Sequence, residues 1–388
     1  MGSSKYQKYF APALGLSALA LFFSAAVFLS APARAQKLKQ LPPPPPGPRF
    51  KPKPTPTPEP TPVPEYEVIR VSSNLVVVPV SVTDVQGRPV MGLKQTDFHV
   101  EEDGHVQELS QLGDPEQVPL DIALLIDVSS SVTEQFGFEK EAATRFLKQV
   151  LRPIDHATLY AIDRTPRLEQ GRSTADVAAA RLMSIKASIG PSPTAFYDTV
   201  VEASRSLALN TPEQNRRVIV VISDGEDNFS TRVRELSLAE YEATQGDEKD
   251  VSPEAKARRR AALAKALQQN HLKAQAEMQR EVQKANAVFY SINPSGEAIK
   301  LNVISTRAQD AMQHLAGATG GTAFVPAKAE DLEAVFSRIL NELRAQYLLQ
   351  YYSNNKSVNN TFRRIAITTP AQTQLRVRTR EGYYPRAK

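Results

Sequence analysis

The stretch "LDIALLIDVSSSV", residues 120–132, joins a long apolar run to an abrupt polar end. Aliphatic side chains dominate residues 120–126, which is typical of a strand buried on both faces of a parallel sheet. The run ends at Asp127, and Ser129 and Ser131 follow at alternating positions. A carboxylate and hydroxyls directly after a buried strand indicate either a serine-rich turn or a binding site at the strand end.

Similar apolar runs recur along the chain and alternate with helical patterns. Three of them predict further buried strands: "HATLYAID" (156–163), "RRVIVVISD" (216–224) and "NAVFYSI" (286–292). Two intervening segments place apolar residues on one helical face, at Phe138, Ala142, Phe146 and Val150 and at Leu332, Phe336, Ile339 and Leu343. The alternation, from about residue 118 to 350, predicts an α/β domain with a doubly wound, mainly parallel sheet flanked by helices, a Rossmann-like architecture.

The segments on either side of this domain have a different pattern. Residues 66–117 contain period-two alternation, as in "NLVVVPVSVTDVQGRPVMGL", and a D-G turn signal. Residues 351–388 again predict alternating strands, in "FRRIAITTP" and "QLRVRTREGYY". We expect the two segments to pair in space as one small β-sandwich-like module, although they flank the α/β domain in sequence.

A long helical insertion is expected at about residues 230–285. Ser252 is a suitable N-cap, Pro253 occupies the first helical position, and alanine-rich helix formers follow. The apolar residues of this segment form an intermittent stripe, at Leu263, Leu267, Ala274, Met278 and Val282. Two interpretations stay open, a solvated surface helix or a partner-binding arm.

The first 65 residues have the composition of a leader followed by a spacer. In residues 1–35, two lysines precede an uncharged apolar run, and "APARA" supplies the small residues of a signal-peptide cleavage site after Ala35. The alternative is a retained membrane anchor, because a run of this length can span a bilayer. Residues 36–65 are rich in proline, which predicts an extended linker or, alternatively, a ligand for a proline-recognising domain. Both interpretations of the leader place the rest of the chain outside the cytoplasm, in the periplasm or secreted.

Composition excludes several kinds of site. The chain has no cysteine, which rules out disulfides and thiolate metal sites. Its five histidines show no ligand spacing, so a zinc site is not expected. The formal net charge is +5, but the first 35 residues carry three basic and no acidic residues, which leaves 44 basic against 42 acidic residues, or +2. So small a charge does not indicate a nucleic-acid partner.

Thr194 and Asp224 extend the polar cluster. Thr194 opens a predicted helix in "GPSPTAFYDTV", and Asp224 follows the strand of "VIVVISDGED". Ligands collect at the carboxyl ends of the strands of a doubly wound sheet, so we expect Thr194 and Asp224 to meet Asp127, Ser129 and Ser131. Oxygen donors of this kind suit Mg²⁺, with Mn²⁺ or Ca²⁺ as alternatives. The neighbouring acids are interpreted as solvated, structural or surface charges: Asp163, Asp198, Glu226 and Asp227.

In order and spacing, these motifs resemble the metal-ion-dependent adhesion site (MIDAS) of the von Willebrand factor A (VWA) domain. Its D-x-S-x-S motif falls on Asp127, Ser129 and Ser131, its threonine on Thr194 and its last acid on Asp224. The resemblance implies that these five residues hold Mg²⁺ and that an acidic side chain of a partner protein completes the coordination.

The resemblance extends beyond the site, to roughly residues 68–385. The flanking strand segments and "LAGATGGTAFVP" resemble secreted VWA-related proteins typified by Acidobacteria. Two departures stand out: Pro193 occupies the position where the family usually has glycine, and a long helical insertion follows Asp224.

We therefore expect an exported, Mg²⁺-dependent protein-binding module for adhesion or complex assembly, and not an enzyme. The chain has no G-x-S-x-G motif for a serine hydrolase and no G-x-x-x-x-G-K phosphate loop. An aspartate-based phosphotransferase would need a second acid at the position of Ser129. The alternative is a structural cell-envelope protein whose metal site is vestigial.

Overall fold

A computed structural model of the protein describes residues 75–129, 135–188, 192–236, 238–245, 252–296, 303–357 and 359–385. All of them belong to one unit, Arg70–Lys388. The predicted signal peptide, the proline-rich linker and Ser131 lie outside the described residues. Within those residues, no helix is both long enough and apolar enough to cross a membrane.

Strands occupy both ends of the described chain, and strands and helices alternate between them. In chain order, the elements are β1 (Leu75–Thr83), β2 (His99–Glu102), β3 (His105–Gln107), β4 (Leu109–Gly113), β5 (Leu120–Asp127), α1 (Phe136–Val150), β6 (His156–Ile162), β7 (Arg167–Ser173), α2 (Ala175–Ser184), α3 (Phe196–Asn210), β8 (Arg216–Ile222), α4 (Thr231–Arg234), α5 (Leu238–Gln245), α6 (Pro253–Lys284), β9 (Ala287–Ile292), α7 (Val303–Thr319), β10 (Ala323–Phe324), α8 (Leu332–Arg344), β11 (Tyr347–Tyr352), β12 (Arg363–Thr368), β13 (Arg376–Arg378) and β14 (Gly382–Tyr383).

The central sheet has six strands in the order β10-β9-β8-β5-β6-β7. Neighbouring strands are parallel except β6 and β7, which form an antiparallel edge. Strand β5 is buried along its whole length because it lies between β6 and β8 and is covered on both faces. The chain continues from β5 to β6 on one side and later returns to β8 on the other. The strand order therefore reverses at β5, which is where doubly wound sheets open a crevice for ligands.

Helices cover both faces of this sheet, which confirms the predicted α/β class. On one face, α1, α2 and α8 form an apolar core in which Phe146 stacks on Phe336 with ring centroids 4.8 Å apart. On the other face, α3, α6 and α7 contribute residues such as Phe196, Met278 and Leu315. Both layers bury the aliphatic side chains that made the strands recognisable in the sequence.

The predicted core face of α1 is wrong at its first position. Phe138 is 56% exposed, whereas Ala142, Phe146 and Val150 are buried as expected. Each step of four residues rotates the position by about 40° around a helix, so a run of such steps leaves the buried arc. Phe136 takes the place of Phe138 in the core.

Helix α6 is the predicted long helix. Ser252 caps it, since its hydroxyl accepts a backbone N–H at 3.2 Å, and Pro253 is its first residue. Leu263 and Leu267, expected in its apolar stripe, are instead 40% and 36% exposed. The reason is that the apolar cluster over the sheet takes α6 residues from Ala274 onward.

Two antiparallel four-stranded sheets combine the segments before and after the α/β domain. Their strand orders are β13-β1-β11-β4 and β14-β12-β2-β3. Val78 of β1 lies opposite Leu349 of β11, and Val100 of β2 lies opposite Ile367 of β12. All four side chains belong to one apolar cluster shared by the two sheets. Strand β11 spans the predicted boundary at residue 350, so the α/β domain is inserted between β4 and β11.

Candidate metal centre

The carboxyl ends of two adjacent strands carry the predicted acids. Asp127 is the last residue of β5, and Asp224 stands two residues after the end of β8. The two strands are parallel, with Ile126 opposite Ile222, so both acids lie at the same edge of the sheet. Burial is the main cause of the raised pKa of Asp224, and the charge of Asp127 adds to it, as expected for neighbouring carboxylates.

Asp127 is held by a hydrogen bond on each of its oxygens. The backbone N–H of Ser129 donates to Oδ1 at 2.9 Å, and the hydroxyl of Ser223 donates to Oδ2 at 2.7 Å. Burial nevertheless raises the pKa of Asp127 above its usual value. The sequence pattern did not indicate Ser223, although its position directly before Asp224 at a strand end is a signal that could have found it.

Asp224 is also a desolvated acid. Burial raises its pKa to about 6, and the charges of Asp127 and Glu226 act in the same direction. The backbone N–H of Glu226 donates to Asp224 Oδ1 at 3.0 Å and opposes this rise. A buried and a half-buried carboxyl group at one edge repel each other when both are ionised, and a bound cation would relieve that repulsion.

The structure describes two of the three predicted hydroxyl donors. Ser129 and Thr194 are both buried, and Ser129 lies directly beside Asp127 through the bond of its backbone N–H. Ser131 lies outside the described residues. Its role as a ligand stays a prediction, as do the roles of the other four residues.

Thr194 is tied to the segment that carries Asp224. Its backbone N–H donates to Asn228 Oδ1 at 2.8 Å. Its carbonyl oxygen accepts the N–H groups of Asn228 and Phe229, each at 3.1 Å. These contacts form with Pro193 directly before Thr194. Nothing in the sequence pattern indicated Asn228, because its role depends on a partner 34 residues away.

Asp227 is not the solvated charge that its sequence position suggested. It is buried, and its pKa is raised because of that burial. Its oxygens accept the backbone N–H groups of Tyr197, Phe229 and Ser230 and the hydroxyl of Ser230. Asp227 is therefore a structural residue of the loop that follows β8.

The other neighbouring acids also have specific partners. Asp163, at the end of β6, is ion-paired with Arg167 at 2.6 Å. Asp198, in the first turn of α3, accepts the backbone N–H of Thr231 at 2.9 Å. Glu226 accepts the hydroxyl of Ser305 at 2.8 Å, which links the site loop to α7. The structural interpretation of Asp163 and Asp198 agrees with these contacts.

A buried acid on α1 lies near enough to Asp127 for the two charges to interact. Glu139 is fully buried, and neither of its carboxyl oxygens has a hydrogen-bond partner among the described residues. Burial raises its pKa to about 8, and the charge of Asp127 contributes. Burial therefore favours the protonated, uncharged form of Glu139 at neutral pH.

The donor set fits a hard divalent cation. The described part of the chain contains no group of three or more His, Cys, Asp or Glu side chains placed to hold a metal. A metal centre here therefore depends on two carboxylates together with hydroxyl groups. All of these donors are oxygens, which suits Mg²⁺ better than a softer metal.

Comparisons with known proteins find similarity among solved structures. No protein-family model matches the chain, and a search of curated proteins finds no relative. The chain is similar to the PilB minor pilin from Streptococcus sanguinis, with 16% identity and a TM-score of 0.42 over 59% of this chain and 62% of the pilin. It is also similar to the vWF domain of the type V pili tip protein Mfa5 from Porphyromonas gingivalis, with 13% identity and a TM-score of 0.40 over 57% and 94% of the two chains.

A third similar structure is proximal thread matrix protein 1 from the mussel byssus with a zinc-occupied MIDAS motif, at 12% identity and a TM-score of 0.39 over 63% and 49% of the two chains. The chain thus spans less than two thirds of the length of the pilin and of the byssus protein.

Proposed function

We propose that this protein is an extracytoplasmic binding module of the VWA type, which captures a partner protein through Mg²⁺. The observation that carries the proposal is the meeting of Asp127 and Asp224 at one edge of the sheet. Ser129 and Thr194 lie on the segments that adjoin these acids. Ser131 is the fifth proposed ligand, and only the resemblance of the sequence motif supports it.

The bound ion would be held by the hydroxyls of Ser129, Ser131 and Thr194 and by the carboxylates of Asp127 and Asp224, directly or through water. It would supply an electrophilic position for an acidic side chain of the partner. Mn²⁺ or Ca²⁺ could replace Mg²⁺, since both prefer oxygen ligands. The chain's own contribution is orientation, because both oxygens of Asp127 are already fixed by hydrogen bonds.

The remaining parts of the chain support this role. We propose that the two antiparallel sheets form the predicted β-sandwich-like module and give the α/β domain a rigid base. Residues 1–35 would export the chain, and the proline-rich residues 36–65 would act as a spacer. Adhesion or complex assembly, rather than catalysis, is the proposed activity.

The first test is a thermal melt of the full chain in EDTA and in Mg²⁺. A ligand that binds only the folded state raises the free energy of unfolding by about 2.7 kcal/mol at a hundredfold excess over Kd. We expect Mg²⁺ to raise the melting temperature of the wild type and to leave the melting temperatures of Asp127→Ala and Asp224→Asn unchanged. An equal response of all three proteins would contradict the proposed site.

Asp121→Asn is a matched control on the same strand. Asp121 is as buried as Asp127 but lies toward the opposite end of β5, where it pairs with Arg172 at 2.6 Å. Its loss should lower the melting temperature in EDTA and leave the shift caused by Mg²⁺ intact. The control therefore separates loss of a buried acid from loss of a metal ligand.

Capture of a partner is tested with the immobilised chain. We expect extracytoplasmic proteins to be retained in Mg²⁺ and released by EDTA, and the Asp127→Ala variant to retain none of them. Retention that persists in EDTA and with the variant would instead favour the structural envelope protein with a vestigial metal site.

A further inference from the structure

We infer that the loop after β8 positions the metal-binding threonine, with Asn228 holding Thr194 and Asp227 holding the loop itself. The inference rests on the proposed function and concerns the same site. It assigns positioning roles to two residues that are not among the five proposed ligands.

Asn228 fixes both backbone polar groups of Thr194. Its side-chain oxygen accepts the Thr194 N–H at 2.8 Å, and its own N–H donates to the Thr194 carbonyl oxygen at 3.1 Å. The N–H of Phe229 donates to the same carbonyl oxygen. A side chain leaves its backbone in one of a few staggered rotamers, so a fixed backbone restricts where the Thr194 hydroxyl can lie.

Asp227 anchors this loop to the start of α3. Its Oδ2 accepts the backbone N–H of Tyr197 at 2.8 Å and the hydroxyl of Ser230 at 2.5 Å. Its Oδ1 accepts the backbone N–H groups of Ser230 and Phe229 at 3.0 and 3.2 Å. A carboxylate that receives N–H groups at a helix N-terminus is favoured by charge-assisted hydrogen bonding and by the helix dipole.

The same contacts explain why Asp227 is not itself a ligand. Each carboxylate oxygen has about two lone-pair sites, and each oxygen of Asp227 already accepts two donors. The Oδ1 of Asn228 is likewise engaged by Thr194. Both residues therefore act through Thr194 rather than on the ion.

Three hydrogen bonds continue the contact by one further residue on each segment. The backbone N–H of Asp198 donates to the hydroxyl of Ser230 at 3.0 Å. In return, the backbone N–H and hydroxyl of Thr231 donate to Asp198 Oδ2 at 2.9 and 3.0 Å. Residues 227–231 and 194–198 are thus joined along their length, and Asp224 precedes the first of these segments by three residues.

Asp163 secures the threonine segment from the other side. Its carboxylate accepts the hydroxyl of Ser192 at 3.0 Å, and its carbonyl oxygen accepts the N–H of Ala195 at 2.9 Å. Asp163 therefore fixes the chain on both sides of Thr194, at Ser192 and at Ala195, while Asn228 holds Thr194 itself. This arrangement gives the segment a defined conformation with Pro193 in place of glycine.

The test compares Asn228→Ala with the wild type in the full chain. Asn228 is exposed, so its truncation should change the melting temperature in EDTA by little. Loss of one hydrogen bond that orients a ligand should weaken Mg²⁺ binding about five- to tenfold, measured by calorimetric titration. In EDTA, hydrogen exchange of the Thr194 amide should become faster, which reports the lost contact without any metal.

Two variants complete the design. Asn228→Asp retains an oxygen acceptor and should restore slow exchange at Thr194 and most of the affinity, measured in 0.5 M NaCl so that the added charge is screened. Asn210→Ala, at another exposed asparagine whose amide makes one side-chain bond, should change neither quantity.

The outcomes separate the two hypotheses. If the wild type does not bind Mg²⁺, the proposed function fails, and the inferred role of Asn228 fails with it. If the wild type binds Mg²⁺ and Asn228→Ala binds equally well, only the positioning role is overturned. Affinity that is lost in Asn228→Ala and restored in Asn228→Asp supports it.

Discussion

At the scale of single residues, Glu139 makes folding depend on pH. Its pKa is about 8 in the folded chain because of burial, against a usual value of 4.5. The folded state therefore holds a proton that the unfolded chain releases, and stability falls as the pH rises between these values, by at most about 1.4 kcal/mol per pH unit. Glu139→Gln is neutral at every pH, so its stability should fall less from pH 5 to pH 8.

The measurement is urea denaturation of both proteins in EDTA. Asp127 and Asp224 also have raised pKa values, but they are present in both proteins, so the difference in slope isolates Glu139. Identical pH dependence of the wild type and Glu139→Gln would show that Glu139 is ionised in the folded state or reaches solvent.

The sequence could predict residues whose chemistry follows from their position along the chain. Asp127 and Asp224 were expected at one edge because each follows a buried strand, and the structure places them there. The sequence did not predict the roles of Ser223 and Asn228, because their hydrogen-bond partners are distant in sequence. It did not predict Glu139 either, because that residue is distinguished by burial without a hydrogen-bond partner among the described residues. Local patterns carry no information on such contacts.

At the scale of elements, the junction between α7 and β10 requires a residue without a side chain. A Cβ at Gly321 would overlap the carbonyl oxygen of Phe289 on β9, which is backbone and cannot turn away. We expect Gly321→Ala to lower the free energy of unfolding by about 1–3 kcal/mol or more, as overpacking does. Gly171→Ala on β7 is the matched control, since a Cβ there meets no atom within 4 Å.

Urea denaturation of the two glycine variants checks this expectation, and equal stabilities would contradict the close approach of Gly321 to β9.

The presence of the strands was predictable from the sequence because buried parallel strands are apolar throughout and are followed by polar residues. The face that a helix buries was harder to predict. Phe138 has the same four-residue spacing as Ala142 and Phe146, yet it is exposed and they are buried. The environment of a helical residue depends on which neighbour the helix meets, as Leu263 and Leu267 also illustrate.

At the scale of the whole molecule, two distant segments complete one apolar cluster and one buried ion pair. Glu102 of β2 pairs with Arg363 of β12 at 3.1 Å, and both side chains are almost fully buried. The hydroxyls of Tyr351, Ser353 and Tyr383 donate to the same carboxylate. Alternation predicted strands in both segments, but the identity of the charged pair was not readable from either one alone.

Ending the chain at Ser357 should unfold the two small sheets and leave the α/β domain folded. The deletion removes β12, β13 and β14, and with them Ile365 and Ile367 from the cluster. It also leaves Glu102 buried without Arg363, and breaking a buried pair in this way costs about 3–5 kcal/mol. Limited proteolysis should then cut within residues 75–113, whereas a chain ending at Pro385, which keeps every described strand, should resist. Equal resistance of the two chains would mean that β1–β4 and β11 are stable without the C-terminal strands, and that the cluster does not unite the two ends of the sequence.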